Sequence, residues 1–430
     1  MKKHLAYAFA LLLLSFCSCR KIFPIPPPPV DSTAIAIDFT DHDNFDSLHQ
    51  DKWELIINEP SGKLLLDTVA NENTAIKATL HSSSQLVNFT LVEYLSSFGT
   101  RYTITTYRNV DPRTWKGLPS QSFLGPVNAD PVSFTSAQLN YIHPPSLPIQ
   151  NYPDITLSTS RASSGFSVLS YDPNYAAYQP GGLLSVSYNR AGNNPIYTLM
   201  PQLGLYKFHA PTSNNDTVDL SHLDTAVSVN YSLPASFTPQ STDLFGYSDT
   251  TDLTKSTQLY DNFYDGELPA DVEYPRTGVQ TYELIEYVAN TSNQGLYFYS
   301  YGSKVPATIN WVNPTDFTIS ANQQDSFSVA YNGAKPSFYS MNWQAGNNIY
   351  FEIYSAPDGT VLHPYTWFSG LGSKLLQGQN LASMKPSFAV FTDVTGLPAD
   401  LNGALNYYGT AAPRVSAPVG STIMQYQISF

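Results

Sequence analysis

Tyr282-Glu283-Leu284-Ile285-Glu286-Tyr287-Val288-Ala289-Asn290-Thr291-Ser292-Asn293-Gln294-Gly295-Leu296-Tyr297-Phe298-Tyr299-Ser300-Tyr301 is the stretch on which the fold turns. Val, Ile, Leu, Tyr and Phe dominate two runs, 282–288 and 296–301, and Asn, Ser and Gly cluster between them. The runs suit a pleated, half-buried surface and the cluster suits a turn, so the stretch reads as two β-strands. Tyr297, Tyr299 and Tyr301 lie two apart and share one strand face. The signature recurs at 34–39, 53–57, 86–92, 102–107, 165–171, 183–188, 203–209 and 226–233, then at 317–320, 326–331, 349–354, 387–392 and 423–430. A helical period is sustained almost nowhere; 43–50 holds one or two turns at most. Many short strands with frequent turn signals predict an all-β chain of two to four tandem β-sandwich domains, immunoglobulin-like or related, rather than a parallel α/β fold.

Prolines punctuate that chain. Pro126, Pro131, Pro144, Pro145, Pro148 and Pro153 make 126–153 read as a proline-rich linker, and the Ser, Thr and Asp of 238–257 mark a weaker boundary. β-Sandwich domains are therefore expected at 32–125 and 154–240, with 258–430 forming one larger sandwich or two small ones. Trp53 to Leu65 and Tyr350 to Leu362 repeat one plan: a strand, a Pro-x-Gly turn at Pro60-Ser61-Gly62 or Pro357-Asp358-Gly359, and a second strand. Convergent hairpin chemistry explains the repeat, and domain duplication is the alternative.

The N-terminus carries an address. Lys2 and Lys3 precede an apolar run at 5–16, shorter than the about 20 residues a spanning helix needs, so 1–18 reads as a signal peptide. Both cysteines of the chain, Cys17 and Cys19, follow at once, leaving none to staple the folded part. Leu14-Ser15-Phe16-Cys17-Ser18-Cys19 resembles the lipobox of bacterial lipoproteins, with the small Ser18 before Cys19. The resemblance implies a lipid on Cys19 and a membrane partner held through it. Residues 19–31, with Pro24 and Pro26 to Pro29, form an extended tether. Arg20 and Lys21 stand where lipoproteins sent to the Bacteroidota surface carry acidic residues, which leaves the outer membrane's periplasmic and outer faces both open.

Charge narrows the partners. Lys and Arg number 21 against 34 Asp and Glu, a net charge of −13, which argues against nucleic acid or an anionic lipid surface. Charged residues are only 13% of the chain, against about 25% in a typical soluble domain. Thirty Tyr, 23 Phe and five Trp give 13% aromatics, a composition suited to recognition by stacking and hydrogen bonding.

Catalytic signatures are missing from the sequence. None of the eight histidines forms a His-x-x-x-His pair, and no Gly-x-Ser-x-Gly elbow or phosphate loop occurs. No cofactor, metal ligand or catalytic residue is assigned; the acidic clusters Asp38, Asp41, Asp43, Asp46 and Asp261, Asp265, Glu267 read as solvated turns. Glycan hydrolysis needs only two facing carboxylates, but Glu283 and Glu286, three apart on a strand, point to opposite faces. Tyr339, Trp343, Tyr365 and Trp367 are the aromatic candidates for ligand contact. Six triplets, beginning Asp31-Ser32, Asp46-Ser47, Asp67-Thr68, Asp216-Thr217, Asp224-Thr225 and Asp249-Thr250, are similar to the Bacteroidota O-glycosylation sequon, which implies modification at Ser32, Ser47, Thr68, Thr217, Thr225 and Thr250.

Taken whole, the chain resembles Bacteroidota envelope lipoproteins built from immunoglobulin-like or prealbumin-like modules. What is expected is a lipid-anchored envelope protein with a non-catalytic binding or adhesion role toward a glycan or a protein. A glycan-processing enzyme on a sandwich scaffold is one alternative. The other is an outer-membrane β-barrel, suggested by the alternation of Met424, Tyr426, Ile428 and Phe430 but opposed by the short, proline-broken strands.

Overall fold

A computed structural model describes residues 33–39, 50–71, 74–96, 101–113, 134–143, 155–158, 166–169, 184–191, 195–200, 203–249, 256–261, 271–396, 400–403 and 419–430. The stretch quoted above folds as read. Thr281–Ala289 pairs antiparallel with Gln294–Gly302, and Asn293 takes the left-handed conformation at φ 57°. Asn290 Oδ1 closes the turn by accepting the N–H groups of Ser292 at 2.9 Å and Gln294 at 3.2 Å.

That hairpin belongs to a twelve-stranded sheet. In chain order its strands are β1 (Gln50–Asn58), β2 (Leu64–Ala70), β3 (Val87–Leu95), β4 (Arg101–Val110), β5 (Thr238–Tyr247), β6 (Ser256–Asp261), β7 (Thr281–Ala289), β8 (Gln294–Gly302), β9 (Phe338–Ala345), β10 (Ile349–Ser355), β11 (Lys385–Thr395) and β12 (Ser421–Ser429). Across the sheet they run β6-β5-β7-β8-β12-β11-β9-β10-β4-β3-β1-β2. β10 and β4 pair parallel, Ile349 opposite Tyr102, and the other neighbours pair antiparallel. The sheet is open, with β6 and β2 at its edges, and none of the sheets among the described residues closes into a barrel. β12, whose alternation prompted the barrel alternative, lies inside this open sheet between β8 and β11. Among the described residues no helix is long and apolar enough to cross a membrane.

Strand alternation sends side chains into two layers of core. Trp53, Leu55 and Ile57 of β1 meet Ile35, Ile37 and Phe39 from the small sheet Thr33–Phe39/Ile76–Ser82. Ile56, Val92, Ile104, Met341, Trp343 and Phe351 face the other way. They are covered by Phe327 and Val329 of the hairpin Phe317–Gln323/Ser326–Tyr331 and by Phe368 of the seven-residue helix α1 (Pro364–Gly370). Further along that second face, Leu244, Leu284 and Phe298 pack with Tyr197, Leu199 and Tyr206. A separate pair of sheets, three-stranded and five-stranded, encloses Leu139, Tyr141, Tyr188, Ile196 and Met200, and Tyr141 Oη meets Thr198 Oγ1 across the gap at 2.9 Å. Layered all-β packing of the β-sandwich kind is the result.

Two stretches differ from the sequence-based division. Residues 126–153, read as a linker, contain a nine-residue strand, Phe134–Ile142, in which Ala137, Leu139 and Tyr141 are buried. Pro131, Pro144 and Pro145 lie outside that strand on either side, where proline is tolerated, so they mark its ends. Residues 238–257, read as a boundary, supply β5, an interior strand with a bulge between Pro239 and Ser241. Its apolar residues Leu244, Phe245 and Tyr247 do not alternate with polar ones because both sheet faces are covered there, Leu244 packing on one and Phe245 and Tyr247 on the other. One hydrogen-bonded sheet thus joins strands from 50–110, 338–429 and 238–302, in that spatial order.

A cleft at the strand ends: candidate functional site

Four adjacent strands finish together on the α1 face of the sheet and leave a polar row there. Asn58 ends β1 on the side of Ile56, and its register partner is Asn88 of β3, two residues before the buried Thr90. Arg108 of β4 continues the Ile104 face, and its Nη1 donates to Ser355 Oγ of β10 at 3.1 Å. The register between β3 and β4 slips between Val87 and Phe89, and Asn109 adopts φ 56° at that point. Asn tolerates the left-handed region, and here its N–H donates to Asn88 Oδ1 at 3.0 Å. Asn402 holds the bulge from outside, donating through Nδ2 to the Asn109 carbonyl at 3.1 Å and accepting the Asp111 N–H at 2.6 Å.

Chain that follows β10 builds the opposite wall. Residues of both Pro-x-Gly turns line the cleft, Pro60 and Gly62 from one and Asp358 from the other, with Gly62 at φ 91° and Gly359 at φ 77°. Repetition in the sequence therefore marks one place in space, although only the first turn makes a hairpin, β1 to β2. After the second, Leu362 bridges Phe327 and the chain enters α1. Asp325 fixes that helix: its Oδ1 accepts the Thr366 N–H at 2.7 Å and its Oδ2 accepts the Thr366 hydroxyl at 2.6 Å. The resulting cleft measures about 450 Å³ and is lined by Asn58, Asn88, Arg108, Asp358, Thr360 and Trp367 among others. Volumes of roughly 300–1,000 Å³ are usual for small-ligand sites.

Polar bookkeeping inside the cleft is incomplete. Asn58 is buried, yet its Oδ1 has no hydrogen-bond partner, and neither has the indole Nε1 of Trp367. Glu59, next in the chain, is fully engaged away from the cleft by Ser82 Oγ at 3.1 Å, the Ser83 N–H at 3.0 Å and Lys63 Nζ at 3.3 Å. The Ser83 N–H bond, foremost, holds the Glu59 carboxyl below the usual range. Asp358 Oδ1 accepts the Thr360 N–H at 2.8 Å; it is the one carboxylate among the cleft's described lining residues.

The chain matches no protein-family model and no curated protein.

Of the four aromatics singled out from the sequence, only Trp367 lines this cleft. Tyr365 is half-buried against the neighbouring core. Tyr339 and Trp343 are 3% and 1% exposed, so they cannot contact a ligand. They alternate with Met341 and Ala345 on the β9 face that the 317–331 hairpin covers, and burial pushes the Tyr339 phenol up to about 12. Asn58, Asn88 and Arg108 escaped the sequence reading because each is an ordinary polar residue at a strand end; the repeated Pro-x-Gly turn was the one signal near them. Thr217 and Thr225 are exposed and Thr68 half-buried on the edge strand β2, whereas Cys19, Ser32, Ser47 and Thr250 lie outside the described residues.

Glu283 and Glu286 do face opposite ways. Glu283 accepts from Tyr247 Oη on one side of the sheet, and Glu286 accepts from Thr242 Oγ1 at 2.8 Å on the other. Burial raises Glu286 to about 8, so it is a neutral acid at pH 7. A folded-state pKa above the unfolded value of about 4.3 contributes stability that is complete below pH 4.3 and lost as pH rises towards 8. Wild-type stability should carry a slope of up to about −1.4 kcal/mol per pH unit across that window from this group. Glu286→Gln should flatten it, so that the variant is the more stable protein at pH 8–9 in urea unfolding; an unchanged slope would show that Glu286 ionises normally.

Proposed function

We propose that the protein is a lipid-anchored binding protein of the cell envelope, tethered through Cys19, that captures a glycan in the cleft between the β1, β3, β4 and β10 ends and α1. The observation that carries this reading is the buried, unpartnered Oδ1 of Asn58 in a cleft walled by Trp367. A buried acceptor without a donor costs about 1–3 kcal/mol, which a ligand hydroxyl placed against it would recover. An indole at the wall supplies a flat apolar face for a sugar ring, and Asn88 and Thr360 add neutral hydrogen-bonding groups. The extended, proline-rich 19–31 segment would hold such a domain off the membrane.

A glycan array, followed by calorimetry on the strongest binder, tests this. Asn58→Ala and Trp367→Ala should each weaken that binder roughly 5- to 100-fold, the equivalent of about 1–3 kcal/mol. A blank array, or binding indifferent to both substitutions, overturns the proposal.

A further inference from the structure

Arg108 is an anomaly in an acidic chain. It is half-buried, and a guanidinium offers five N–H donors in a planar fork, yet the contact it makes is one bond from Nη1 to the uncharged hydroxyl of Ser355. Other described cations either have partners (Arg113 with Asp111, Lys63 with Glu59, Lys77 with Asp38, Lys374 with Asp67, Arg101 4.3 Å over the Tyr350 ring) or, like Lys52, Arg276, Lys304 and Lys385, are exposed to water. Among the described residues no Asp or Glu forms an ion pair with Arg108. Nearby carboxylates are turned elsewhere: Glu59 to Ser82, Ser83 and Lys63, Glu54 to Ser373, Lys374 and Leu375, and Asp358 to Thr360. A half-buried cation gains from a counter-ion, because part of its charge is withdrawn from water.

We infer that the cleft takes an acidic glycan, a sugar whose anionic oxygens lie on the Arg108 fork while a hydroxyl donates to Asn58 Oδ1. This rests on the glycan-binding reading above and names the ligand class. The two groups line one cleft and are complementary in kind, one all donor and one an unmet acceptor, which is what an acid group flanked by hydroxyls satisfies. Uronate carboxylates and sulfate esters share this chemistry. With a net charge of −13 on the chain, the selectivity comes from this local pairing and not from long-range attraction.

Calorimetry on the full chain with matched probes decides it. Trigalacturonate, its neutral methyl ester, galactotriose, a sulfated galactotriose, and a tripeptide acid with its amide are titrated into wild type, Arg108→Gln, Arg108→Lys and Asn58→Ala. Expected is at least tenfold tighter binding of trigalacturonate, or of the sulfated trisaccharide, than of its neutral counterpart. Arg108→Gln should erase that preference, and Arg108→Lys should restore part of it, since it retains charge but loses the fork. Raised salt should weaken only the acidic ligands. Should Arg108→Gln fail to fold, the wild-type preference and its salt dependence still decide. Equal affinity for acidic and neutral sugars overturns the acidic-ligand inference and leaves glycan binding standing. Binding of the tripeptide acid alone, or of no saccharide, overturns both.

Discussion

Trp343→Ala is expected to destabilise the protein by about 3–5 kcal/mol, the range for deleting a large aromatic from a packed core. The side chain is 1% exposed on β9, an interior strand of the twelve-stranded sheet. Its ring stands edge-on to Phe327 at 6.2 Å and lies opposite Phe351 of β10 in the register. Phe351 in turn packs on Phe368 of α1 at 4.5 Å, so the loss would reach the helix that walls the cleft. Trp343→Phe should cost far less, because it keeps most of the apolar surface and removes an Nε1 that has no hydrogen-bond partner. Urea unfolding monitored by circular dichroism measures both. Trp343→Phe should also leave ligand affinity untouched, since Trp343 does not line the cleft. A change below 1 kcal/mol in Trp343→Ala would mean the ring is not enclosed.

That residue also shows what was legible in the sequence. Alternation at 282–288, 296–301, 326–331 and 349–354 identified strands almost to their ends, because a period of two follows from the backbone itself. Alternation cannot say which faces are covered. Tyr339 and Trp343, candidates for ligand contact by residue type, lie beneath the 317–331 hairpin. Where both faces are covered the pattern fades altogether, which is why β5 and its Leu244-Phe245-Gly246-Tyr247 run read as a boundary. Proline misled in the same way at Phe134–Ile142, since it bounds strands as readily as it separates domains. The cleft was illegible for a different reason. Asn58, Asn88, Arg108 and Ile353 meet only because β10 pairs in parallel with β4, a contact between residues 247 positions apart that no local pattern announces.

Glu54→Ala is expected to cost about 3–5 kcal/mol, and to act on the cleft as well as on stability. Glu54 is fully buried on β1, and its carboxylate accepts from Ser373 Oγ, from the Lys374 N–H at 2.7 Å and from the Leu375 N–H at 3.1 Å. Those three donors belong to the segment that leaves α1, so one carboxylate ties the helix's exit to β1 on the α1 face of the sheet. Removing it strands two backbone N–H groups, each at about 1–3 kcal/mol where water cannot reach, and leaves a void besides. Glu54→Gln should lose roughly half as much, because one oxygen remains as acceptor while the charge assistance is lost. Lys374→Ala should change stability by less than about 1 kcal/mol, since its link to Asp67 is half-exposed. Hydrogen exchange supplies the specific readout: the Lys374 and Leu375 amides should exchange much faster in Glu54→Gln, with the β7–β8 hairpin amides unchanged. Because Gly370 and Leu371 form part of the cleft wall, ligand affinity should fall in Glu54→Gln and hold in Lys374→Ala. Slow exchange at both amides in the variant would mean that the segment is held by its apolar contacts through Leu371 and Leu376 alone.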